Sequence, residues 1–422
     1  MQRMWKRNTI IFLSSQAVSL FGSSLVQYAL LWYITLETRS GTMLTLYIVC
    51  GFLPTFFLSP FGGVWADRYD RKRLIILADG LIALVTLALG ISFLTGGGST
   101  SLIMLAAALR AAGAAVQMPA VGAILPQFVP AEHLTRVNSI SGTIQAVIAL
   151  VSPIVSGALI SVLPMYYLFA VDVVTAAAAI AVLSLLFHVP PHDRVDRPMT
   201  TSHLEDMRLG VRYIRDHRYL ISFFTFIGTL LFLISPAAFL TPLQVVRTFG
   251  ADVWRLTAIE IAFSAGMIAG GALMGFWGGF TNRMHTMLLS AAVMGGCTVA
   301  LGVTADFWLY LAFMAVFGVF IPLLNTPSAV LLQEHVESDY LGRVFSVNTM
   351  LFTSVMPIGM LVFGPLAEVV TVEQILIVTG ALILASAIAA TRNTTLLHAG
   401  IPLIPPQVTP LTETVPDQKV SP

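Results

Sequence analysis

Four ionisable residues stand inside long apolar stretches: Asp79, Arg110, Asp172 and Glu260. Each costs a few kcal/mol or more to hold in hydrocarbon, so each is a candidate for ion pairing, proton transfer or substrate recognition. A carboxylate in such a place can take up a proton and lose its charge. Glu260, about 10 Å into its stretch at 1.5 Å per residue, is the residue placed for that role. Arg110 lies roughly 14 Å deep and suits either coupling or a structural ion pair. Asp172 suits a structural partner, and with Glu260 and Arg110 it completes the proton-coupling set. Asp79, near an inner helix end, is expected to brace the basic residues Arg71, Lys72 and Arg73.

The segments that position these residues are membrane-like. The chain has 422 residues, with 22 Lys and Arg against 21 Asp and Glu, about a tenth charged. Hydrophobic residues make up 57 %, and mean hydropathy is +0.86. Soluble domains are nearer a quarter charged. An ordinary soluble enzyme, a disulfide scaffold and a disordered chain are excluded. The net charge of +1 argues against a nucleic-acid partner. Cys50 and Cys297 stand far apart in apolar segments and suggest neither a disulfide nor a metal site. No lysine follows a glycine, so no phosphate-binding G-x-x-x-x-G-K exists. No cluster of catalytic groups appears, so an enzyme is not expected, and no cofactor or metal is either.

Twelve stretches are long enough to span a bilayer. They run over about 9–36, 43–66, 74–95, 101–125, 137–163, 166–188, 219–246, 254–280, 284–304, 307–332, 344–370 and 373–391. With the N-terminus inside, eighteen of the 22 lysines and arginines fall on the inner side and three on the outer side. That bias places both termini in the cytoplasm. The expected fold is an all-α membrane protein of two six-helix halves. They cover residues 1–188 and 219–392, joined by a cytoplasmic linker at 189–218, with a disordered tail at 393–422. The linker opens with Pro190-Pro191 and charged residues. Leu204, Met207, Val211 and Ile214 then give one apolar helical face, expected to lie on the inner membrane surface; its functional reading is a clamp between the halves, beside that of a solvated linker.

The halves repeat each other. Gly63-Val-Trp-Ala-Asp67-Arg68 follows span two, and Gly278-Gly-Phe-Thr-Asn282-Arg283 follows span eight. Arg136-Val-Asn-Ser139 opens span five, and Arg343-Val-Phe-Ser346 opens span eleven. Gly157-Ala-Leu and Gly364-Pro-Leu keep the same offset. A duplication with both halves in one orientation follows. Gly63 is expected to let two helices approach closely, and Gly266-x-x-x-Gly270 and Gly271-x-x-x-Gly275-x-x-x-Gly279 read as close packing.

The stretch Gly63–Arg73 resembles the loop signature between helices two and three of the major facilitator superfamily, with Asp70 where that pattern usually has Gly. The form with Asp is similar to macrolide-efflux-type exporters. So are Gln16-Ala-Val-Ser-Leu20, Ile259-Glu260-Ile-Ala-Phe263 and Tyr340-Leu-Gly-Arg343-Val-Phe-Ser346. The resemblance covers nearly the whole chain. It implies the major facilitator fold and a drug exporter driven by the proton gradient in the cytoplasmic membrane.

It also implies roles. Gly63, Asp67, Arg68, Arg71, Asn282 and Arg283 would form an inner conformational latch. Helices one, four, seven and ten would surround a central cavity, lined by Gln16, Ser19, Ser23, Gln27, Gln117 and Asn325. Ser152-Pro153-Ile-Val-Ser156-Gly157 is similar to the antiporter motif Gly-Pro-x-x-Gly-Gly, with Ser152, Pro153 and Gly157 bending span five. The expected partners are a small amphipathic substrate, protons and the lipid bilayer, and a monomer is expected. A siderophore or lysolipid exporter on the same scaffold, and a non-transporting membrane receptor, are the alternatives.

Overall fold

The computed structural model describes residues 2–187 and 203–401. Every regular element among the described residues is a helix. The first six are α1 (Gln2–Thr38), α2 (Gly41–Arg68), α3 (Arg71–Leu94), α4 (Thr100–Phe128), α5 (Ala131–Val162) and α6 (Met165–Leu186). A short α7 (His203–Asp216) precedes α8 (Arg218–Phe239), α9 (Thr241–Thr248), α10 (Val253–Trp277), α11 (Arg283–Val303), α12 (Phe307–His335), α13 (Ser338–Leu366), α14 (Val372–Thr391) and α15 (Thr394–Ala399). Twelve segments are long and apolar enough to cross a membrane, α8 and α9 counting as one.

Short polar residues start several helices by accepting an otherwise unbonded N–H. Ser40 accepts from Met43 N, and Asp306 accepts from Leu309 N. Asp70 accepts from Arg73 N at 2.8 Å. That cap is what an aspartate supplies at a position where glycine could not.

The same pairings build both halves. α2 packs on α4, and α3 on α4 and α6; α10 packs on α12, and α11 on α12 and α14. α1 packs on α5 and α6, as α8 does on α13 and α14. Glycines set the closest approaches. A methyl group at Gly62 would overlap the Ala115 carbonyl of α4, whereas a methyl group at Gly63 would meet open space. The glycine that admits α4 is therefore Gly62, correcting the expectation for Gly63; one residue turns the helix by ~100°. Likewise Gly266 and Gly270 meet the backbone of Ala315 and Val319, while Gly271 and Gly275 stay open.

Three further expectations change. The seventh stretch is broken at Leu240, after Pro236 and before Pro242, which lacks a donor. Buried Gln244 anchors the broken piece: its Nε2 donates to the Leu301 carbonyl at 2.8 Å and its Oε1 accepts from Tyr310 at 2.9 Å. On α7 the buried face is Gly210, Tyr213 and Ile214, with Val211 exposed. Tyr213 stacks on Tyr340 at 4.5 Å and accepts from Glu337 N at 3.3 Å, seating α7 on α13. The side chains of Leu204 and Met207, and the residues 188–202 that hold the linker's proline and charged run, lie outside the described residues. The expected tail begins with a docked helix: Asn393 caps α15, Leu396 is buried, and Arg283 N donates to the Gly400 carbonyl at 2.9 Å. Residues 402–422 lie outside the described residues.

Candidate functional site

Three helices of the first half each present two polar residues to the same interior. Spacings of four on α1 (Ser19, Ser23), seven on α3 (Asp79, Thr86) and seven on α4 (Arg110, Gln117) all return to one helical face. They form two layers. In the first, Arg110 Nη1 lies 2.6 Å from Asp172 Oδ2, and Thr86 donates to that oxygen at 2.9 Å. Ser23 donates to Asp172 Oδ1 at 3.1 Å, and Arg110 Nη2 donates to the Ser23 carbonyl at 3.2 Å. In the second, Asp79 Oδ1 accepts from Ser19 at 3.2 Å and from Gln117 Nε2. Asp79 Oδ2 is buried without a hydrogen-bond partner. Asp79 is 2 % exposed and Asp172 fully buried.

This arrangement corrects the reading of four residues. Ser19, Ser23 and Gln117 serve the buried carboxylates instead of lining a cavity. Asp79 engages those neutral donors instead of the basic loop. Gln27 and Asn325 are exposed, and Gln16 is half-buried. Glu260 stands apart from the pair, half-buried on α10 and within electrostatic reach of Tyr28 on α1. On α5, Ser156 donates to the Leu25 carbonyl at 3.1 Å, Ser152 and Pro153 are buried, and Gly157 admits the Thr257 side chain of α10.

The face bearing Gln2 and α7 is the near face; the opposite one is the far face. The halves meet along α2–α13, α5–α10 and α1–α9. The close contacts are at the far face: Thr45 donates to the Met360 carbonyl at 3.2 Å, and Gly41 abuts Gly364. Toward the near face the same helices are open. Gly142, Thr143 and Gln145 on α5, and Ser346, Thr349 and Thr353 on α13, are exposed. The close contacts named between the halves thus lie at the far face, and polar residues of α5 and α13 are exposed toward the near face.

A polar clasp closes the far face. Arg247, on α9, donates to the Arg39 carbonyl at 3.1 and 2.7 Å and to the Ala367 carbonyl at 2.7 Å. Its Nη2 lies 3.5 Å from Glu368. Glu368 Oε1 accepts from Ser40 at 2.6 Å and from Thr42 N at 3.1 Å. Arg39 has φ 47°, a left-handed conformation. The Ser40 hydrogen bond, more than partial burial opposes it, holds the Glu368 carboxyl below its ordinary value, aided by Thr42 N and Arg247. No motif marks this clasp in the sequence.

The near-face loops tie each half together. Arg71 donates to the carbonyls of Ala66 at 2.8 Å and Ala123 at 2.6 Å, linking α3 to α4. Arg283 pairs with Glu334 at the matching place between α11 and α12. Asn282 caps α11 and donates to the Leu397 carbonyl at 2.9 Å. Arg68 is exposed, and the Asp67 side chain lies outside the described residues. Among the described residues no group of His, Cys, Asp and Glu has metal-site geometry.

The sequence profile of the Major Facilitator Superfamily matches residues 12–360. Macrolide efflux protein A of Streptococcus pyogenes is 30 % identical over 387 residues, covering 91 % of this chain and 95 % of that one. Macrolide efflux protein A of Enterococcus faecalis is 31 % identical over 314 residues, covering 74 % and 96 %. The fold is similar to the crystal structure of a bacterial homologue of the iron transporter ferroportin in an inward-facing state. The TM-score is 0.68 and the identity 17 %, covering 93 % of this chain and 98 % of that one.

Proposed function

This chain belongs to the major facilitator superfamily, and from that premise we propose that it exports amphipathic, macrolide-like molecules in exchange for protons. It is a transporter, a multi-pass membrane protein and not an enzyme. The observation that carries the proposal is the clasped far face above an open near face. The lysine and arginine bias makes the near face cytoplasmic, so substrate enters from the cytoplasm between the halves. Gln16, Gln27 and Asn325 supply polar contacts there. Glu260 takes a proton, and Arg110 and Asp172 complete the coupling set as a buried pair. The proton biases the two states only if it binds one more tightly than the other. When the far-face clasp parts, the loops at Asp67–Arg71 and Asn282–Arg283 latch the near face. Both halves belong to one chain, which favours a monomer as the working unit.

The test is a substrate panel in a strain lacking its own exporters, with and without a proton uncoupler. Macrolide efflux that the uncoupler abolishes is expected, and Glu260→Gln should weaken its pH dependence. Efflux of a siderophore or lysolipid in place of macrolides refutes the substrate class. Unchanged transport and pH dependence in Glu260→Gln refute the role of Glu260.

A further inference from the structure

The interior of the first half holds three charged side chains on neighbouring helices: Asp79 on α3, Arg110 on α4 and Asp172 on α6. Arg110 is committed to Asp172, at 2.6 Å. Asp79 receives only neutral donors, and only at one oxygen. The groups acting on it are Ser19 from α1, Gln117 from α4 and the charge of Asp172 from α6; Arg110, seven residues before Gln117 on α4, is held by Asp172, and Tyr47 of α2 donates to the Gln27 carbonyl at 3.3 Å. With both carboxylates ionised this interior carries one uncompensated negative charge. One proton makes it neutral. A buried carboxylate oxygen without a donor is costly while charged, and a protonated one removes most of that cost.

We infer that Asp79 is a second intramembrane proton site, carried protonated in the near-face-open state, with its free Oδ2 as the atom that holds the proton. The Arg110–Asp172 pair is neutral in itself, so one proton on Asp79 leaves this interior without net charge. The proton enters from the open near face, where Gln16, one turn below Ser19, places a buried Nε2 without a partner beside the same column. Proton loss returns a charge to this interior, which rewards any movement of α1 or α4 that brings water or Arg110 closer. The inference rests on the proton-exchange reading above, but its first test does not.

Asn at position 79 reproduces the neutral carboxyl in size and keeps an acceptor for Ser19 and Gln117. The infrared spectrum of the purified wild type minus that of Asp79→Asn at neutral pH should leave a protonated-carboxyl C=O band. Its absence overturns the proposal whether or not transport is proton-driven. In proteoliposomes, Asp79→Asn should retain counterflow of radiolabelled erythromycin. Under a gradient of about one pH unit its limiting accumulation should fall about tenfold, one proton's worth. Wild-type accumulation in the variant overturns the coupling role. A variant that fails to insert and fold also overturns the proposal, because the neutral analogue should suit this state. A wild type that shows the band but no proton-driven accumulation overturns only the exchange reading.

Discussion

Arg110 and Asp172 are worth more together than either is alone. Removing one leaves the other charged in an apolar interior, a loss of about 3–5 kcal/mol when a buried pair is broken. Arg110→Gln or Asp172→Asn should therefore lower thermal stability in detergent strongly. The double variant should recover much of that loss; a double variant whose loss equals the sum of the singles would contradict the pairing. Gly62 and Gly63 give a second residue-scale contrast. Gly62→Ala forces α2 from the Ala115 carbonyl and should cost about 1–3 kcal/mol, as overpacking does. Gly63→Ala should leave folding unchanged, and equal melting shifts for the two would refute the assignment. These distinctions were hidden in the sequence. A polar helical face reads the same whether it borders a cavity or a buried carboxylate, so Ser19, Ser23 and Gln117 were assigned to the wrong neighbour. Adjacent glycines differ only in which side of α2 they occupy.

The α1–α2 turn, α9 and the end of α13 act as one closure through Arg39, Arg247 and Glu368. Glu368 is stabilised as a carboxylate in the closed state, so its folded value lies below its unfolded or released one. Its contribution to closure is therefore complete above the ordinary glutamate value and is lost as pH falls through the lowered one. Far-face distances between spin labels on the α1–α2 turn and α13 should stay short from about pH 5 to pH 8, glutamate titrating near 4.3 when unperturbed. They should lengthen on stronger acidification. Glu368→Gln should weaken closure at neutral pH and flatten that response; closure that loosens on raising the pH would contradict it. At this scale the apolar stretches locate the helices, but 43 and 74 are late for starts at Gly41 and Arg71, because the capping Ser40 and Asp70 precede the apolar run. The break at Leu240 was missed because Pro236 and Pro242 lie in a run that is apolar on both sides. The docked α15 is not legible in the sequence because its six residues carry too little pattern.

Across the whole molecule, twelve spans, the six-plus-six repeat and the charge asymmetry were legible, because hydrocarbon demands long apolar helices and leaves little freedom in how charge is distributed. The state was not. Closure at one face depends on contacts between residues more than two hundred positions apart, such as Ser40 and Glu368, which no local pattern records. The proposed function requires that amphipathic cargo move outward as protons move in. The most direct measurement is uptake of a fluorescent macrolide into inverted membrane vesicles carrying an imposed inward-acid pH gradient. Accumulation that rises with the gradient and collapses on adding an uncoupler is predicted. Accumulation indifferent to both would contradict the claim.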